Sequence, residues 1–147
     1  MGITLDATER AMLVGTHGEG VLATTTPSGA PVPLPVWYVV VDGVPYVRTP
    51  RTSKRVRHIE NNPRVSLLVH AGEAWRELRG VLIAGRAEIV TDPALAVRIE
   101  KVLDERFADL LPPPLPDRVA GAYAATVILR ITPDRDPVSW DNRKVRL

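Results

Sequence analysis

The stretch that decides the fold runs from Val32 to Val41, through Asp42-Gly43, and on through Val44-Pro45-Tyr46-Val47-Arg48-Thr49. An Asp-Gly pair between two β-branched runs is the strongest short hairpin signal a sequence carries, because both residues tolerate the positive φ of a tight turn. The first arm holds Pro31, Pro33 and Pro35. Proline donates no N–H to a ladder, so this arm is expected at an edge, or fully paired only after Pro35.

Working outward, Asp6 and Glu9 have capping-box spacing and open a short helix to about Thr16, closed by Gly15, Gly18 and Gly20. Val21 to Thr25 reads as a strand and Pro27-Ser28-Gly29 as a turn. After the hairpin, Thr52 or Ser53 can cap a helix that Asn61-Asn62-Pro63 ends. Arg64 to His70 is a strand and Ala71 to Ala74 a turn. A long strand is expected from Trp75 to Val90, with Val81, Ile83, Ala87 and Ile89 on one face and bends or bulges at Gly80 and Gly85. Asp92 caps the longest helix, Pro93 to Leu110, whose stripe is Leu95, Ile99, Val102, Leu103, Phe107 and Leu110. Pro112 to Pro116 is a stiff connection, Ala124 to Ile131 a last strand, and the rest a polar tail with Trp140. Strands outnumber helices and come as hairpins. This favours an α+β fold, an antiparallel β-barrel with flanking helices, over a doubly wound parallel sheet.

At 147 residues the chain has the size of one domain, expected to span 1–147, and 45% hydrophobic against 24% charged residues is an ordinary globular balance. No apolar run approaches the ~18 residues of a membrane span, and the first residues lack the pattern of a signal peptide. A cytoplasmic protein is therefore expected. With no cysteine, thiolate and Cys-metal chemistry are excluded. His17, His58 and His70 have no metal-ligand spacing, and none of the four serines sits in a nucleophile elbow. Gly18-Glu19-Gly20-Val21-Leu22-Ala23 fits the loose dinucleotide pattern, but a helix precedes it and a strand follows, the reverse of what that motif needs. A self-contained hydrolase is not expected.

A net charge of +2 gives no argument for nucleic acid. The distribution says more. Arg48, Arg51, Lys54, Arg55 and Arg57 follow one another with no acid between them. Where the strand ending at Tyr46 to Thr49 gives way to the capped helix, orphan N–H groups, the Thr52 and Ser53 hydroxyls and the Arg51 and Lys54 charges converge, which is the recipe for a phosphate site. An ordinary capped helix with a basic surface fits the spacing equally well. Among the tryptophans, Trp75 and Trp140 lie at element ends where a ring can stack on a planar ligand, whereas Trp37 is expected in the core.

Val47-Arg48-Thr49 through Ser53-Lys54, Asn62-Pro63-Arg64-Val65-Ser66, and Leu78-Arg79-Gly80 with Gly85-Arg86-Ala87-Glu88 resemble the pyridoxamine 5'-phosphate oxidase-like split barrel. Ser139-Trp140-Asp141-Asn142-Arg143-Lys144 is similar to the ending of its actinobacterial flavin/deazaflavin oxidoreductase branch. The resemblance implies a homodimer with a flavin-type cofactor in each of two interface clefts. It implies Arg48 and Thr49 along the ring system, mostly through backbone groups, and Arg51, Ser53 and Lys54 on the phosphate. Trp75, from the same or the partner subunit, would approach the ring, and Trp140 with Lys144 would close the cleft. The cofactor would be coenzyme F420 or FMN, with the uninterrupted cations favouring the more anionic tail of F420, and it would carry hydride to or from a small unsaturated or ring substrate. The same cleft would equally serve a non-catalytic carrier of flavin, haem or a related planar anion. The chain departs from the true oxidase in ending Val145-Arg146-Leu147, without an arginine-leucine-x-proline terminus, so vitamin B6 oxidation is not expected. No nucleic-acid or membrane partner is expected, since no strand face carries the aromatics that base stacking needs.

Overall fold

The computed structural model describes residues 2–123 and 125–147. Helix α1 (Ala7–His17) starts where the sequence says it should: the Asp6 carboxylate accepts from the Glu9 N–H at 2.9 Å, and Glu9 accepts from the Asp6 N–H at 2.8 Å. It ends on Gly18, at φ 79°. Strands β1 (Glu19–Thr25), β2 (Pro31–Val41) and β3 (Val44–Pro50) follow. The β2–β3 turn is Asp42-Gly43, with φ of 51° and 78°, so the hairpin forms on the two residues that invite it. Then come α2 (Lys54–Asn61), β4 (Arg64–Ala71), β5 (Arg79–Ile89), α3 (Pro93–Phe107), α4 (Asp117–Tyr123), β6 (Thr126–Pro133) and β7 (Val138–Asp141).

Hydrogen bonding runs in the order β4-β1-β2-β3-β6-β5, and β5 pairs back to β4. All these pairings are antiparallel, so six strands close into a barrel, and β7 adds to the start of β5. The expected α+β barrel with flanking helices is what the chain forms. Leu22, Tyr38, Val47, Leu67, Val81 and Leu129 fill its interior. Val39, Tyr46 and Ile128 point the other way, onto Ile99, Leu103 and Phe107 of α3. Covering both faces explains why β2 and β3 read as continuous apolar runs rather than alternating ones. The Tyr38 hydroxyl donates to the Val14 carbonyl, tying α1 to the barrel, and burial pushes its pKa up to about 12. No helix among the described residues is long and apolar enough to cross a membrane.

The proline expectation is met in a specific form. From Pro31 to Trp37, β2 pairs with β1 alone; from Tyr38 to Val41 it pairs with β3. Prolines at alternate positions point their missing donors to the same edge, the one turned away from β1. Beyond Val47, β3 in turn pairs only with β6. β2 and β3 therefore part, leaving the β2-facing edge of Arg48–Pro50 without a strand partner, its Pro50 carbonyl accepting from the Ser53 N–H at 3.0 Å.

Five expectations need correction. β5 begins at Arg79, not Trp75, because Gly72 (φ 97°) turns the chain and the Glu77 carboxylate accepts from the Glu73 and Ala74 N–H groups at 3.2 Å each, winding Trp75–Glu77 into a 3-10 turn. Gly80 and Gly85 are not bulges, since the β4–β5 ladder is unbroken from Arg64↔Arg86 to Ala71↔Arg79. They permit close approach: a Cβ on Gly80 would collide with the Trp140 ring, and one on Gly85 with the Thr132 carbonyl. Trp37 is not core; it is 39% exposed and stacks on Phe107 at 4.7 Å. The polar tail contains β7, and α4 precedes β6, which starts at Thr126. The expected first residue of that strand, Ala124, lies outside the described residues. The long helix ends at Phe107, with Leu110 exposed on a following 3-10 turn.

Candidate functional site

At the end of β3 the strand alternation turns Thr49 inward, where it is only 1% exposed. Its Oγ1 lies 3.3 Å from Ser53 Oγ, and Arg55 Nη1 donates to the same Oγ1 at 3.2 Å. Ser53 caps α2 by accepting from the Val56 N–H, at a long 3.4 Å. The Arg51 N–H donates to the Ala125 carbonyl and fixes the turn between strand and helix. Lys54 is the first helical residue and is exposed, as is Arg51.

Two hydroxyls, a helix N-terminus and three cations thus meet at the mouth of the β2/β3 gap. Arg55 is the informative member. It is half-buried and forms no ion pair among the described residues. Burial depresses its pKa from the ordinary arginine value, yet a guanidinium stays charged. A half-buried cation whose only side-chain partner among the described residues is a hydroxyl leaves N–H donors for an anion, and planar guanidinium geometry suits a phosphate. Sequence reasoning missed Arg55. The signal was present, since Val56 and Ile59 mark the buried face of α2 and position 55 adjoins it.

The Arg48 side chain takes a different course. It turns to the α3 face and pairs with Asp104 at 2.7 Å, leaving its backbone on the open edge. Trp75, Trp140 and Lys144 gather elsewhere, around the start of β5. Trp140 pairs with Gly80 across β7–β5 and lays its ring over it. Trp75 is 56% exposed, its carbonyl accepting from Asn142 Nδ2 at 2.7 Å. Lys144 Nζ donates to the Thr4 carbonyl at 2.8 Å and to Glu9 at 2.7 Å, and that bond holds the Glu9 carboxyl below its usual range.

Within one chain these two groups do not meet. From Gly80 to Ile89 is nine strand steps, roughly 30 Å at about 3.3 Å each. Ile89 pairs with Leu129, and Thr49 with Val127, which is farther still from Gly80. The structure therefore joins Thr49 and Ser53, with Arg51 and Lys54 beside them, and holds Trp75, Trp140 and Lys144 at the far end of the barrel. Among the described residues no group of three or more His, Asp or Glu could hold a metal ion.

A closed antiparallel barrel whose strands part beside a cationic helix start defines the split-barrel class. Within that class, the family model for pyridoxamine 5'-phosphate oxidase matches residues 8–135, and the chain belongs to this family. A conserved hypothetical protein of Mycobacterium tuberculosis is 33% identical to it, with a TM-score of 0.80 over 95% of this chain and 87% of that one. An FAD-binding protein of Mesorhizobium loti is 23% identical, with a TM-score of 0.72 over 92% of this chain and 95% of the other. The heme storage protein HutZ of Vibrio cholerae is 17% identical, also at a TM-score of 0.72, over 97% and 99% of the two chains. The latter two likenesses speak for the fold alone. No curated protein matches the sequence.

Proposed function

We propose that the chain binds a flavin-type cofactor by its phosphate and works as an oxidoreductase on a small unsaturated or ring substrate. The observation that carries this reading is Arg55 at the start of α2, half-buried, without an ion pair among the described residues, and donating to the Thr49 hydroxyl that adjoins Ser53. Arg51 and Lys54 add charge at the same helix end, where N–H groups favour an anion. The unpaired edge at Arg48 offers backbone groups along a planar ring lying in the β2/β3 gap. When bound, the cofactor supplies the hydride chemistry, and the chain's part is to hold, orient and screen it. Coenzyme F420 is the favoured cofactor and FMN the alternative, because Arg51, Lys54, Arg55 and Arg57 suit a longer anionic tail. FAD binding in the Mesorhizobium loti relative, at 23% identity, supports the flavin class.

The working unit in this reading is a homodimer. Trp75, Trp140 and Lys144 of one copy reach the phosphate end of the other, since they stand far from their own. The outer face of β1, β4 and β5 carries two registered rows, Val21–Leu68–Leu82 and Ala23–Ser66–Ala84. Such an apolar, small-residue surface is suited to a second barrel.

Paired fluorescence titrations of the protein with F420 and with FMN test the reading, followed by turnover assays with the reduced form of whichever binds. Saturable binding of one cofactor with hydride transfer supports an oxidoreductase. Binding without turnover on a broad panel of unsaturated acceptors points to a carrier, and binding of neither removes the proposal.

A further inference from the structure

A cavity of ≈ 200 Å³ lies at the barrel pole that α1 covers, away from the end of β3. Val40, Val81 and Ile83 wall it, β-strand residues that belong to or pack on the barrel interior. The β2–β3 turn (Gly43) and Pro137 form part of its rim, and Arg10, Ala11 and Gly15 of α1 line its helix side. Two features there lack a structural purpose. Arg10 is half-buried and donates once, from Nη1 to the Leu5 carbonyl at 2.9 Å; it forms no ion pair among the described residues. Gly15 sits inside a helix, where glycine is unfavourable, with neither a positive φ nor any atom within 4 Å of where a Cβ would stand. Ordinary backbone and packing demands do not call for glycine there, but an open cavity mouth does.

We propose that this cavity is a second ligand site, taking a small apolar monocarboxylate with its body between Val40, Val81 and Ile83 and its carboxylate on Arg10. An apolar cavity of about 150 Å³ holds one benzene ring, so a single ring or a six-carbon chain fits the space. The spare N–H groups of Arg10 make the fork that a carboxylate matches. The lining shares no residue with the cofactor reading: it comes from the β2–β3 turn and the inward-facing Val81 and Ile83 at the start of β5, whereas Thr49 lies at the far end of β3, Arg55 follows it on α2, and Trp140 lies over Gly80 on the opposite face of β5.

The test is calorimetric titration of the full chain with benzoate and hexanoate, and with benzyl alcohol and hexanol as uncharged counterparts. Both carboxylates should bind saturably, about tenfold or more tightly than the alcohols. Arg10→Met should weaken carboxylate binding by about the same factor. Gly15→Leu should fill the mouth and abolish binding, with a melting temperature no lower than that of the native chain because leucine favours helix. Saturating FMN should leave carboxylate affinity unchanged. The proposal is overturned if neither carboxylate binds, if the alcohols bind equally well, if FMN competes, or if Arg10→Met and a folded Gly15→Leu both bind as the native chain does.

Discussion

The two ends of the barrel handle their charges in opposite ways. At the β3–α2 end, Arg51, Lys54 and Arg55 form no ion pair among the described residues, and Arg55 rests on a hydroxyl. At the β5–β7 end the polar groups are engaged. Lys144 joins Glu9, Arg143 joins Asp141 at 2.7 Å, and Asn142 reaches the Trp75 carbonyl. The N-terminal segment is stitched in as well: the Asp141 N–H donates to the Ile3 carbonyl, and Ser139 Oγ accepts from the Leu5 N–H at 3.0 Å. One end keeps donors in reserve, as an anion site must. The other spends them on rigidity and leaves aromatic faces free, as a wall for a planar ring must.

Arg55→Ala would break this contrast most sharply. Loss of a charge-assisted contact should weaken cofactor binding about 10- to 100-fold in a fluorescence titration, equivalent to about 1.5–3 kcal/mol. Stability should hardly change, since Thr49 keeps Ser53 as a partner. Unaltered affinity would move the phosphate elsewhere.

At the opposite end the same kind of change should act on stability first. Gly80→Ala drives a methyl group into the Trp140 ring, and overpacking of this kind costs about 1–3 kcal/mol, readable as a lower urea midpoint. A shifted tryptophan emission should accompany it. A midpoint equal to the native one would mean that Trp140 is not held against β5.

The smallest effect is one of pH. The Arg143 guanidinium holds the Asp141 carboxyl below its usual range, and Asp141 is buried. A carboxyl with a depressed folded pKa contributes stability that is fully present above its unfolded value. That stability is lost as pH falls through the folded one. Asp141→Asn should therefore be less stable than the native chain by about 1 kcal/mol near neutrality, a gap that shrinks below about pH 4. Urea midpoints at several pH values would show the convergence, and a gap constant with pH would contradict it.

Local signals made half of this legible in the sequence. Asp42-Gly43, the Asp6–Glu9 box, Ser53 and Asp92 act within four residues of themselves, and each does in the structure what its chemistry suggests. What stayed hidden depends on partners distant in the chain. Gly80 is glycine because of Trp140, sixty residues on, and no local pattern tells that apart from a bulge. β7 has four residues, too few for periodicity, and exists because β5 offers it an edge. Trp37, expected in the core from its place on the proline-rich strand, is turned outward onto Phe107 by strand alternation, while its neighbours Val36 and Tyr38 face the interior. The same gap in reach explains the site. The helix cap was readable, whereas Arg55 on the Thr49 hydroxyl was not.

The central claim is that one cofactor site draws its phosphate end from one copy and its aromatic wall from another. Refolding an equal mixture of Arg55→Ala and Trp140→Ala chains tests it most directly, with cofactor binding measured at a concentration where neither variant alone binds. Random pairing into two-site dimers should restore about a quarter of the sites, because each mixed dimer carries one site with both ends intact. No recovery from a mixture that has formed dimers would contradict the claim and place both ends of the site in a single chain.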